Sequence, residues 1–156
     1  MKFTKQQEEK LLNIDVSGKG GKDAEIALAL GFERKSERFY DAVDPSGKKW
    51  EFKKQERQQW IDPYKLSEMT PQQKKISILF FMHKDGKITE VYETNYQKLI
   101  KAMGYSAWDL KAIKKMYDRQ CLSERKTQIK AELKHSEIAN FKRIWKRGQS
   151  NGEDNV

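Results

Sequence analysis

The chain has 156 residues, 37% of them apolar and 35% charged, enough for one domain with a buried core under a heavily charged surface. A single cysteine, Cys121, excludes an intrachain disulfide, and with only His83 and His135 to join it the sequence argues against a Cys/His zinc site. The net charge of +9 is confined to one segment: residues 98–147 hold 14 Lys/Arg against 5 Asp/Glu, and the rest of the chain holds 18 of each. That asymmetry suits a polyanionic partner, most simply nucleic acid.

In chain order, "TKQQEEKLLNI" predicts a short helix with Leu11, Leu12 and Ile14 as its apolar positions. After the turn-rich "DVSGKGGKD", Asp23 caps a second helix, "AEIALALGF", that ends near Gly31. "FYDAV" and "KWEFKK" read as two strands joined by "DPSGK". The polar stretch "QERQQWIDPYKLSEMTPQQKK" lacks a period and reads as a loop with one helical turn after Thr70-Pro71. "KISILFFM" predicts a central strand, and "HKDGK" a tight turn with Asp85-Gly86 at its centre, followed by the partner strand "ITEVYET". From Asn95 onward three helices are expected, the last covering "ERKTQIKAELKHSEIANFKRIWKR". The expected fold is α/β (α+β): a small mixed central sheet flanked by helices, with a basic helical C-terminal part. Residues 1–147 form one domain and 148–156 a frayed tail. The longest apolar run, "ISILFFM", is too short to span a bilayer, and "MKFTKQQEEKLLNI" lacks a signal-peptide run, so a soluble cytoplasmic protein with no membrane partner is expected.

The chemistry concentrates in "YDAVDPSGKKWEFKKQ". Side chains alternate along a strand, so Glu51 and Lys53 share a face. If the two strands pair, Asp41 comes within about 4 to 6 Å of Glu51. Two carboxylates that close repel unless a cation lies between them, and a hard cation such as Mg²⁺ favours carboxylate oxygens plus waters and a phosphate. The backbone carbonyl of Phe52 is a candidate further ligand. Lys53 then stands where it can hold or deprotonate an attacking water and balance charge on the phosphorus, the parts needed for metal-assisted phosphodiester hydrolysis. Glu-x-Lys occurs five times in the chain, so spacing alone carries nothing; only the Glu51 copy lies on a predicted strand with an acid across a turn.

This string, "DAVDPSGKKWEFK", resembles the motif of the PD-(D/E)xK nuclease superfamily, and most closely the PvuII-type type II restriction endonucleases. The resemblance extends in pattern through "ILFFMHKDGKITEVYETNYQKL", covering residues 39–100. It implies a restriction-endonuclease-like fold, Asp41 and Glu51 as metal ligands, Lys53 as the catalytic lysine, and Mg²⁺ as cofactor with Mn²⁺ as a substitute. It further implies cleavage of double-stranded DNA at a short sequence by a homodimer, with no nucleotide cofactor. The histidines that those enzymes carry after the catalytic strand are absent from "QQWIDPYKLSEMTPQQ", so no recognition sequence is implied. The rival expectations are a structure-specific or repair nuclease of the same fold, and a DNA-binding protein without catalysis.

The remaining candidates are contacts. Glu25, early on the second helix, is a candidate extra acid for the metal. Lys19 and Lys22 flank a turn that fails the Walker pattern, because Val16 stands where Gly is required, yet they suit DNA phosphates. Lys54 follows the catalytic lysine. Gln58, Gln59, Gln72 and Gln73 suit adenine edges. Lys114, Lys115, Lys142, Arg143, Lys146 and Arg147 are expected on outward helix faces as phosphate clamps.

Overall fold

The computed structural model describes residues 1–17, 22–56, 58–121 and 131–149. In chain order the helices are α1 (Lys5–Leu12), α2 (Asp23–Leu30), α3 (Pro63–Ser67), α4 (Tyr96–Ala102), α5 (Ala107–Cys121) and α6 (His135–Ile138). The strands are β1 (Glu33–Arg34), β2 (Ala42–Val43), β3 (Lys49–Gln55), β4 (Gln58–Ile61), β5 (Ser77–Lys84), β6 (Lys87–Asn95), β7 (Ala131–Lys134) and β8 (Lys142–Lys146). Six strands form one mixed sheet in the order β1-β2-β3-β5-β6-β8, antiparallel except where β3 runs parallel to β5; β4 and β7 pair separately. Among the described residues no helix is long and apolar enough to cross a membrane.

β5 is central because it is apolar on both faces. Leu79 and Phe81 pack with Leu11 of α1, Ile26 and Leu30 of α2, and Trp50 and Phe52 of β3. Ile78, Phe80 and Met82 point the other way, onto Leu66 of α3, Tyr96 and Leu99 of α4, and Leu110 of α5. The sheet is thus covered by helices on both sides. Thr4 and Gln7 close a capping box on α1, and Gly31 ends α2 at φ 74°. Asp85 and Gly86, at φ 52° and 82°, turn β5 into β6 with the two positive φ values that a type I′ turn needs.

Two expectations are corrected. The segment expected as a loop with one helical turn after Thr70-Pro71 does form that turn, a short 3₁₀ turn at Gln73–Lys75, but it also forms β4 and α3, which were not expected. Its helix start was written in Asp62, whose side chain accepts from the Tyr64 amide at 3.0 Å, and in Pro63 at the first position. β4 was not legible because its partner, β7, lies some seventy residues away.

In its described part the expected basic C-terminal helix is instead β7, α6 and β8. β8 adds to the edge of β6 with Val91 opposite Trp145 and Tyr92 opposite Arg143, so Ile144 is an extra residue, a β-bulge. The bulge turns the adjacent Ile144 and Trp145 into the same core, which hides the period-2 pattern of a strand. Residues 122–130 of that expected helix, and 150–156 of the expected tail, lie outside the described residues.

Candidate active site

The hairpin between β2 and β3 is held by Asp44. Its carboxylate accepts from the amides of Ser46 (2.9 Å) and Lys48 (3.0 Å), the Ser46 hydroxyl (2.6 Å) and Trp50 Nε1 (3.1 Å). With Gly47 at φ 88° this sets the register of Ala42 opposite Trp50, which leaves Asp41 opposite Glu51. Asp44 is therefore spent on the turn, and the other two acids are left to meet.

Asp41 donates its amide to the Trp50 carbonyl at 2.8 Å, and its Oδ2 accepts from the Phe52 amide at 2.8 Å. β2 has ended by then, so a side chain takes the place of a strand partner. In an extended strand a residue's amide and carbonyl leave toward the same neighbour, which puts the Phe52 carbonyl at this open edge beside Asp41.

Glu51 is 93% buried, its exposure only 7%. Its Oε2 accepts from the Tyr96 hydroxyl and from Lys65 Nζ at 3.2 Å, so those two donors leave Oε1 to other partners. Burial, a hydrogen bond with Glu51 and the charge of Glu51 push Asp41 up to about 8. Burial also opposes ionisation of Glu51, but the Asp41 hydrogen bond, the cations Lys53 and Lys65, and Tyr96 outweigh it and hold Glu51 down at about 2. The two carboxyls thus keep one proton between them, on Asp41, near neutral pH. Lys53 lies two residues beyond Glu51 on the same face. Burial pushes its ammonium down, against the pull of Glu51, while Lys65 adds to the downward push.

The donors at this point are all oxygens: two carboxylates and one carbonyl. That set fits Mg²⁺, which takes one or two carboxylates and completes its shell with water and phosphate. Among the described residues no group of three or more His, Cys, Asp and Glu side chains gathers to hold a metal.

Asp41, Glu51 and Lys53 come together, then, and the other candidates scatter. Glu25 faces out from α2, 55% exposed at its side chain, and pairs with Lys22 at 3.6 Å. The acid of α2 that matters here is Asp23: it forms an ion pair with Lys54, and its charge adds to the upward push on Asp41. Lys54 is thereby held inside the fold. Lys19 lies outside the described residues. Gln58 and Gln59 sit on β4; Gln73 closes a reciprocal cap with Thr70, its Oε1 accepting from the Thr70 amide at 2.9 Å, and Gln72 precedes it. Lys114 pairs with Asp118 at 3.1 Å, and Lys115 is exposed on α5. Lys142, Arg143, Lys146 and Arg147 lie along or just past β8, not on a helix. Arg143 stands 3.9 Å from Glu90, and Arg147 Nε donates to the Ile88 carbonyl at 2.7 Å, a fold contact.

Sequence reasoning missed Lys65 and Tyr96. Lys65 fell in the segment expected as a loop, and Tyr96 approaches Glu51 from 45 residues away. A tyrosine one position past an Asn cap carries no local sign of that contact. No family model matches the chain, and no curated protein matches it.

Proposed function

We propose that this protein is a Mg²⁺-dependent DNA endonuclease with a restriction-endonuclease-like fold, acting as a type II restriction enzyme on double-stranded DNA. The observation that supports it best is the Asp41–Glu51 pair, Glu51 buried and Asp41 half-buried, which shares one proton while Lys53 lies on the same face. Two carboxyls held this close are costly, since one must keep its proton, unless a cation takes its place. Asp41, Glu51 and the Phe52 carbonyl would hold the cation, with Mn²⁺ as a substitute. Bound there, the cation would polarise the scissile phosphate and acidify a water.

The protein groups divide the remaining work. Tyr96 and Lys65 pin Oε2 of Glu51 and fix its rotamer. Lys53, weakened as an acid-holder by burial, takes a proton from water at Nζ or, protonated, faces the charge that develops on the phosphate. Each chain carries one such cluster, so cutting both strands calls for two copies.

The test is incubation of unmethylated duplex DNA with the protein and Mg²⁺, beside an EDTA control. Discrete bands are expected; a smear would mean a nuclease without sequence choice. Asp41→Ala should abolish cleavage while far-UV circular dichroism and DNA binding stay intact. Cleavage that persists in Asp41→Ala would sink this assignment, and intact DNA in every lane would return the hairpin to a charged surface on a binding protein.

A further inference from the structure

Three cavities of about 310, 240 and 210 Å³ line up along one end of the main sheet. The first two share Lys75, and the second and third share Lys48. Together they form a groove edged by six lysines: Lys48, Lys49, Lys74, Lys75, Lys98 and Lys142. Among the described residues none of the six is ion-paired, whereas Lys22, Lys35, Lys54, Lys65, Lys114, Arg38 and Arg143 all face acids. The one acid in the lining, Glu93, already holds the N-terminal ammonium at 3.0 Å. Lys48 stands 4.4 Å over the Trp50 ring and Lys49 5.0 Å over the Tyr40 ring, so aromatic faces hold these two cations in place.

The groove lies two strand residues from the acid pair. Lys49 precedes Glu51 by two residues on the same face of β3, and Ile76, in the lining, precedes Ile78, the β5 partner of Glu51, by two. Two residues of strand span about 6.6 Å. Thr94 lines the third cavity, and its Oγ1 is buried without a hydrogen-bond partner among the described residues. A buried hydroxyl left so is costly.

We propose that this groove is the track for a phosphodiester backbone leading to the Asp41–Glu51 pair, with Lys98 and Lys142 as the contribution of the basic C-terminal segment among the described residues. The proposal deepens the nuclease reading by locating its substrate, but its binding step stands or falls without cleavage.

The experiment measures fluorescence anisotropy of a labelled duplex and of its single strand, in EDTA, across a salt series. The variant is Lys48→Glu/Lys75→Glu/Lys98→Glu. The control has the same charge change away from the groove, Lys10→Glu/Lys84→Glu/Lys87→Glu, with two of its positions at the turn between β5 and β6, the opposite end of the sheet. The groove variant should lose at least about tenfold in affinity, and the slope of log K against log salt should fall by about 2 to 3. The control should stay within about threefold of the unaltered protein. If the groove variant loses its circular dichroism, Lys→Gln at the same positions replaces it, with the same direction expected. Equal losses in the two variants, or no binding by the unaltered protein, overturn the groove whatever the cleavage assay shows. Groove-dependent binding with no Mg²⁺-dependent cut by any form would leave the groove standing and defeat the nuclease reading. The duplex-to-strand affinity ratio identifies which form of the backbone it takes.

Discussion

The Tyr96 hydroxyl donates to Oε2 of Glu51 and lies 2.8 Å from the Phe39 carbonyl, a second acceptor for the one proton it carries. Burial together with the charge of Glu51 raises the Tyr96 phenol far above its usual range, so it stays a donor at every working pH. The contact ties the start of α4 to the middle of β3.

Tyr96→Phe should therefore act on both stability and titration. A donor to a charged acceptor contributes about 1.5 to 3 kcal/mol, and loss of that order is expected in urea unfolding. Since Tyr96 helps hold Glu51 down, the phenylalanine variant should titrate Glu51 at a higher pH, readable by carboxyl carbon chemical shifts. An unchanged titration would mean that the hydroxyl serves Phe39 alone.

The acid pair should give the metal-free protein an unusual pH profile. Asp41 is raised from 3.8 to about 8, so the folded state holds that proton more tightly than the unfolded one. The stability this contributes is complete below pH 3.8 and is lost as pH rises toward 8. Glu51, depressed from 4.5 to about 2, works oppositely: its contribution is present above 4.5 and lost as pH falls toward 2. In EDTA the Tm should thus decline between pH 5 and 8, and Asp41→Asn should flatten the decline. Under the nuclease reading Mg²⁺ would replace the proton, so its stabilisation should grow over the same window, reaching about 2.7 kcal/mol at a hundredfold excess over Kd. A magnesium effect independent of pH would place the ion elsewhere.

Lys53→Met is expected to keep the stem and lose the amine. Under the nuclease reading cleavage should fall by about 10² to 10³-fold, the scale for one electrostatic donor in a preorganised site, with DNA affinity nearly unchanged. A parallel loss of affinity would make Lys53 a binding residue. Because Lys53 also helps hold Glu51 down, the same variant should shift the titration of Glu51 upward.

Gly86→Ala tests the far end of the sheet. Gly86 adopts φ 82°, and an added Cβ would lie 2.1 Å from Oδ1 of Asp15, which is engaged by the Ser17 amide at 2.8 Å. A loss of about 1 to 3 kcal/mol is expected in thermal unfolding, from left-handed strain plus displacement of Asp15. Under the nuclease reading, cleavage at permissive temperature should not change, since the turn is remote from Glu51.

Local chemistry made part of this molecule readable from its residues. The two-sided apolar run of β5, the Asp85-Gly86 turn and the "DPSGK" turn each specify a conformation within a few residues, and an acid on either side of a tight turn lands opposite its partner by the geometry of pairing. The sequence therefore brought Asp41, Glu51 and Lys53 to one place. What decides their charge is non-local. Lys65 and Tyr96 reach Glu51 from α3 and α4, and Asp23 takes Lys54 from α2, contacts that no period in the chain encodes. The C-terminal segment went astray for a related reason: strand pairing is made by distant partners, and the bulge at Ile144 removes the alternation that would have announced it. The charge total was legible in the composition. Its distribution was not: only the folded sheet end gathers Lys48, Lys75, Lys98 and Lys142 along one groove, because the starts of β3, β5 and β8 and the start of α4 meet there.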